Sequence, residues 1–175
     1  MVRGTHQLVN VDEYANANLI KKPDGYYLKV TCYINKDSLP KSTTNGMEIG
    51  LDFGIKTNIT TSEGEKLDVS VEESERLKML QRKLQRQTKG SNNRYKTIKQ
   101  IRREYLNLSN KKKDKANKIV HKLKQYDCIV IQDEQLNKWH QKKVDENGKD
   151  KNKVMRRIVQ HSCMGMIKSK LINLP

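Results

Sequence analysis

An aspartate stands in the middle of the run Met47-Glu48-Ile49-Gly50-Leu51-Asp52-Phe53-Gly54-Ile55-Lys56-Thr57-Asn58. Strand alternation puts Ile49, Leu51 and Phe53 on one face and Gly50, Asp52 and Gly54 on the other. An unpaired buried carboxylate is strongly unfavourable, so Asp52 calls for a donor or a cation beside it. The flanking glycines leave room for a ligand or a metal ion. A second apolar run, Cys128-Ile129-Val130-Ile131, ends in Gln132-Asp133-Glu134. Two neighbouring carboxylates raise each other's pKa. A divalent cation relieves that repulsion, and carboxylate oxygens suit Mg²⁺ or Mn²⁺. Two such ions about 3.5–4 Å apart can hold the attacking and leaving oxygens of a phosphodiester displacement.

The charge balance agrees with that chemistry. The 175 residues carry a formal net charge of +16, which points to a polyanionic partner, nucleic acid first. The length suits one ordinary domain or a domain plus a fragment. The apolar fraction of 34% is low for a globular domain, so part of the chain is expected to be exposed or packed on a partner. No apolar run is long enough for a membrane span and there is no secretory signal. Cys32, Cys128 and Cys163 are far apart and lack metal-ligand spacing, which reads as a reduced setting.

Several elements must position these acids. Asp24-Gly25 is a hairpin turn between Ala17–Lys21 and the strand-forming run Tyr26–Ile34. Residues 35–46 read as a linker. The strand at 48–53, a second at 55–61, the turn Ser62-Glu63-Gly64 and a third strand at 65–69 make a β-meander. Residues 72–126 read as a basic helical hairpin broken at Gly90-Ser91-Asn92-Asn93, with the longer arm second. Its apolar stripes are Leu77, Leu80, Leu84; Ile98, Ile101, Tyr105, Leu108; and Ile119, Leu123, Tyr126. Cys128–Ile131 reads as a buried strand, 137–151 as an exposed loop, and 153–171 as one last helix. Meander, long helix and acid-tipped strand in that order fit an RNase H-like α/β core, in which the last strand lies beside the first.

Four segments, in order and spacing, resemble a known family. Glu48–Lys56 with Ser62-Glu63-Gly64 resembles the first RuvC-like motif of the TnpB (OrfB) proteins of bacterial insertion sequences, relatives of the type V CRISPR effectors. Leu77–Gly90 resembles their helical hairpin, Tyr126–Glu134 their second motif, and Gln160-His161-Ser162 with Gly165–Leu171 the helix that follows. Pro23-Asp24-Gly25-Tyr26-Tyr27 resembles the end of the wedge-type β-barrel that precedes the nuclease core. The resemblance implies a remnant of that barrel plus linker over 1–46 and an incomplete RuvC-like domain over 47–175, with a mixed sheet and the hairpin inserted at 72–126.

The family implies RNA-guided cleavage of DNA with Mg²⁺ or Mn²⁺, with guide RNA and target DNA as partners, in a bacterial cytoplasm at the nucleoid. The first acid maps onto Asp52. The second maps onto Glu134, which keeps the strand face of position 132, or onto Asp133. Asp52 and Glu134 are the expected metal ligands. The family's third acid and its zinc ribbon have no counterpart before Pro175, which gives the expectation of a fragment that binds nucleic acid and whose cleavage is impaired or lost.

The bases expected on nucleic acid are Arg82, Lys83, Arg86, Lys89, Arg94, Lys96, Lys99, Arg102, Arg103, Lys111, Lys112 and Lys113. Trp139 and His140 read as loop anchors before base-stacking groups, and His6, His121 and His161 as isolated structural residues. One alternative is a non-enzymatic RNA- or DNA-binding module, which would show no metal effect at Asp52. Another is an ATPase of the actin and chaperone type, whose first phosphate loop also reads Gly-hydrophobic-Asp-x-Gly. The second phosphate loop of that class is absent, and a basic hairpin is foreign to it.

Overall fold

Alternating side chains and a two-residue loop build the first element pair. In the computed structural model, which describes residues 4–8, 11–35, 37, 44–54, 58–132, 136–146 and 149–174, β1 (Glu13–Lys22) and β2 (Gly25–Tyr33) pair antiparallel from Lys22↔Gly25 to Glu13↔Tyr33. The strands outrun the expected Ala17–Lys21 because Asp12 closes their open end. Its backbone N–H donates to the Tyr33 carbonyl, and its carboxylate accepts the Asn35 N–H. The register slips between Tyr14 and Ala17. Tyr14, Leu19, Tyr26 and Leu28 lie on one face, all exposed. This hairpin belongs to a compact unit, Met1–Ser42, and the remainder to a second, Thr43–Pro175. Most of the expected linker, at 36 and 38–43, lies outside the described residues.

The second unit is a mixed α/β arrangement. Its strands are β3 (Glu48–Gly54), β4 (Asn58–Thr61), β5 (Lys66–Leu67) and β6 (Cys128–Ile131), in the order β5-β4-β3-β6. The meander β3-β4-β5 is antiparallel, and β6 returns parallel to β3. Gly64, at φ 83°, supplies the left-handed residue of the tight turn between β4 and β5. The third strand is shorter than expected, but Val69 beyond it is fully buried, and its carbonyl accepts the Cys163 N–H at 2.9 Å.

Between β5 and β6 the chain forms α1 (Glu75–Gln85) and α2 (Asn92–Leu123). After β6 come α3 (Leu136–His140), α4 (Lys153–Gln160) and α5 (Met164–Ile172). The core is one-sided. Ile49, Leu51, Phe53 and Ile59 from the sheet meet Ala116, Val120 and Leu123 of α2 and Met164, Ile167 and Leu171 of α5. The opposite sheet face carries Glu48, Asp52, Cys128 and Val130, all exposed. No helix among the described residues is long and apolar enough to cross a membrane.

Three expectations are corrected here. Cys128–Ile131 is not a buried strand. It is the sheet edge among the described residues, and Val130 is 57% exposed. The unbroken apolar run hid a one-faced strand, with only Ile129 and Ile131 turned to the core. The last helix is two helices. At His161–Cys163 the backbone leaves the helix to pair with the segment after β5, through Val71 N–H to the His161 carbonyl at 2.6 Å and a Ser70–Ser162 bridge. Finally, 137–151 is not simply an exposed loop. It begins inside α3 behind the buried Leu136. Farther on it is stapled by Asn152, which donates to the Gln141 carbonyl and accepts the Lys143 N–H.

Candidate metal site and nucleic-acid interface

β-strand alternation places Asp52 where the sequence expects it. Ile49, Leu51 and Phe53 are 2–3% exposed, and Asp52 projects from the open face. Across the antiparallel pair it stands opposite Thr60. The parallel pair with β6 runs from Glu48↔Cys128 to Leu51↔Ile131, and Gln132 follows Ile131 just past the strand as Asp52 follows Leu51. Asp133 and Glu134 follow immediately and lie outside the described residues.

Gly50 has a smaller part than its sequence context suggests. Its N–H donates to Ser62 Oγ at 3.1 Å, and the Ser62 N–H donates to its carbonyl at 2.9 Å. A Cβ at Gly50 would meet Ser62 Cβ at 3.5 Å, an ordinary contact. The glycine therefore docks the turn and is not needed to clear space beside Asp52.

Asp52 offers one oxygen donor of the hard type. Among the described residues the Asp52 carboxylate makes no hydrogen bond or salt bridge, and an exposed carboxylate oxygen is the ligand type Mg²⁺ and Mn²⁺ prefer. The described residues contain no group of three or more His, Cys, Asp or Glu able to hold a metal.

The hairpin is held by caps and a small core of its own. Ser74 accepts the Leu77 N–H at 3.1 Å at the start of α1 and donates to Glu104 of α2 at 3.1 Å. Ser91 accepts the Arg94 N–H at 3.2 Å to start α2. Gly90, at φ 83°, carries the reversal between the helices. Leu77, Leu80 and Ile101 are buried together, with Leu84 partly covered.

From Arg76 to Arg103 there is no acid. The side chains of Arg82, Lys83, Arg86, Lys89, Lys96, Lys99, Arg102, Arg103, Lys111 and Lys113 are exposed and make no hydrogen bond or salt bridge among the described residues. Two of the sequence-selected bases are engaged internally. Arg94 is half-buried and donates to the Leu84 carbonyl at 2.6 Å and the Gln87 carbonyl at 3.3 Å, closing the end of α1. Lys112 is half-buried and donates to the Gln160 carbonyl, and burial pushes its pKa down.

Other bases are matched. Lys115 bonds Asp68 at 2.7 Å and the Ser70 carbonyl at 2.8 Å. Lys122 pairs with Glu65, and Lys118 with Asp114. The Lys115 hydrogen bond, helped by Ser70, holds Asp68 down to about 2. Trp139 is half-buried against the core, in keeping with an anchor, while the His140 side chain lies outside the described residues. Thr60, cross-strand from Asp52, was not singled out from sequence. Counting back from the 62–64 turn is the signal that would find it.

A mixed sheet with a long, acid-poor helical hairpin between its last antiparallel and its parallel strand makes this an α/β protein with a strongly basic extension. A family model described as "Probable transposase", OrfB_IS605, matches residues 25–158, about three quarters of the chain. The chain belongs to this TnpB/OrfB family. No curated protein matches it.

Proposed function

We propose that this chain is the RNase H-like, RuvC-like nuclease core of a transposon-associated, RNA-guided DNA endonuclease. The observation that carries the reading is the parallel β3–β6 register, which brings the end of β6 to the strand position next to Asp52; Asp133 and Glu134 come next in sequence. Asp52 and Glu134, or Asp133 in its place, would hold Mg²⁺ or Mn²⁺. Bound there, the metal would supply charge neutralisation at the phosphodiester and a site for the attacking and leaving oxygens.

The chain's own residues do the rest. Thr60 flanks Asp52 across the pair. The docked Ser62 turn steadies the strand against sideways movement. The free bases of the hairpin neutralise backbone phosphates of guide RNA and target DNA, and so set register without reading sequence. In this reading the hairpin of β1 and β2 is the end of a wedge-type β-barrel, and the protein works at the bacterial nucleoid.

Mn²⁺ titration of the full chain tests the metal half. Binding that vanishes in Asp52→Ala supports the reading, and identical titrations of both proteins leave a non-enzymatic binding module as the better description. Nicking of supercoiled DNA with Mn²⁺, followed in the same two proteins, reports whether chemistry accompanies binding.

A further inference from the structure

The C-terminal ends of α2 and α5 border an open cleft of about 730 Å³. Lys118, His121 and Lys124 line it from α2, and Lys170 and Asn173 from the end of α5. Val120 and Leu174 supply its apolar wall. No acidic residue lines it among the described residues. Lys118 is matched by Asp114. The side chains of Lys124, Lys170 and His121 are exposed and make no hydrogen bond or salt bridge among the described residues. A second cleft, of about 650 Å³, sets Glu72 and Glu73 beside Lys78, Lys153 and Arg157, so its charges largely offset one another.

The bland account of these lysines is that they complement two helix C-termini. Each terminus carries roughly half a negative charge. Two termini therefore offset about one positive charge. Lys124 and Lys170 exceed that, so the cleft keeps a net positive potential.

The cleft also continues a polar side of α2. At 100° per residue, Lys96, Lys99, Arg103, Asn107, Asn110, Asp114, Asn117 and His121 lie along the outward side of α2, opposite the stripe that holds Ile101, Ala116 and Leu123, and Asp114 is matched by Lys118. The cleft is the far end of that side. From Lys96 to Lys124 the helix rises about 42 Å, more than one turn of a nucleic-acid duplex. Bases therefore stand at the two ends of this side, at Lys96–Arg103 and at the cleft, and the amides of Asn107, Asn110 and Asn117 between them suit phosphate and sugar oxygens, whereas an acidic peptide would have no use for so long a polar ridge.

We propose that this cleft is a second phosphate-binding site, which takes the backbone of a nucleic-acid duplex that runs along α2 from the hairpin. It rests on the reading that the chain handles nucleic acid, but not on any metal at Asp52.

The test is affinity for a labelled 20-base-pair duplex against salt concentration, using the full chain with chelator present and Asp52→Ala as the background. Lys124→Gln with Lys170→Gln should lower affinity at least about tenfold at 0.1 M salt and reduce the slope of log affinity against log salt by nearly two. Lys124→Arg with Lys170→Arg should restore both. Lys142→Gln with Lys143→Gln, the same charge change on the exposed segment after α3, should move neither appreciably. An unchanged slope in the cleft variant, or an equal loss in the Lys142 and Lys143 control, overturns the cleft alone. A parent chain that does not bind the duplex overturns the nucleic-acid reading with it. If the cleft variant loses only a labelled polyglutamate probe and keeps the duplex, the site belongs to an acidic protein partner and the proposal fails.

Discussion

Lys115 of α2 reaches Asp68 beyond β5, with Nζ 2.7 Å from Oδ2 and 2.8 Å from the Ser70 carbonyl. This clamp ties the long helix to the end of the meander, next to the point where Val69 and Ser70 meet the break between α4 and α5 at His161–Cys163. It adds a polar tie to the apolar packing of Ala116, Val120 and Leu123 on the sheet that holds Asp52.

The clamp predicts an acid-sensitive contribution to stability. Asp68 is held at about 2, below the unfolded value of about 3.9. A depressed folded pKa gives stability that is complete above the unfolded value and is lost as pH falls through the window toward 2. Asp68 is mostly exposed, so solvent screening limits the effect to about 0.5–1 kcal/mol at neutral pH. Urea melts of the parent chain and Asp68→Asn should differ by that amount at pH 7 and converge near pH 2.

Removing the Asp52 carboxylate should leave the fold intact. The side chain is exposed and unpaired among the described residues, so Asp52→Ala should change stability by no more than about 0.5 kcal/mol. Equal thermal midpoints with a lost Mn²⁺ titration would separate a ligand from a structural acid. A large drop in midpoint would instead assign Asp52 a role in holding the sheet.

The hairpin should behave as a separate cooperative unit. Leu77 is 1% exposed in a cluster with Leu80 and Ile101 that is distinct from the main core. Leu77→Ala should cost about 2–5 kcal/mol locally. Amide hydrogen exchange should then quicken across α1 and the first half of α2, while β3 and β4 keep their protection. Uniform loss of protection would mean that the two clusters unfold together.

Arg94 and Arg102, alike in type and eight residues apart, should part company on mutation. Arg94 closes the end of α1 through two carbonyls, so Arg94→Gln should destabilise by about 1–3 kcal/mol, as expected for hydrogen bonds from a charged group. Arg102 is exposed and unpaired among the described residues. Arg102→Gln should leave the melting midpoint in place and lower the salt slope of nucleic-acid binding by about one.

Much of the architecture was legible in the chain. The alternation around Asp52, the turns at 62–64 and 90–93, and the leucine spacing of α1 each reflect a local rule: the strand pleat, a glycine's left-handed φ, the 3.6-residue helical period. Those rules act within a few residues and leave their mark on residue order. The run at 128–131 misled because an apolar sequence does not state whether a strand lies inside a sheet or at its edge. The break at His161–Cys163 was hidden for a related reason. No helix-breaking residue marks it, and the helix yields there because the backbone finds hydrogen-bond partners at Val69 and Val71, some ninety residues away.

By itself, the order of residues determined the strand that carries Asp52, the basic hairpin and the family to which the chain belongs. Tertiary structure alone decided which bases are free. Arg94 and Lys112 look like their neighbours in sequence, yet carbonyls brought close by the fold engage them. It also gathered Lys124 and Lys170 at one cleft across a wide gap in sequence. Charge is written residue by residue, but its availability depends on distance through space, and the chain acquires those distances only when it folds.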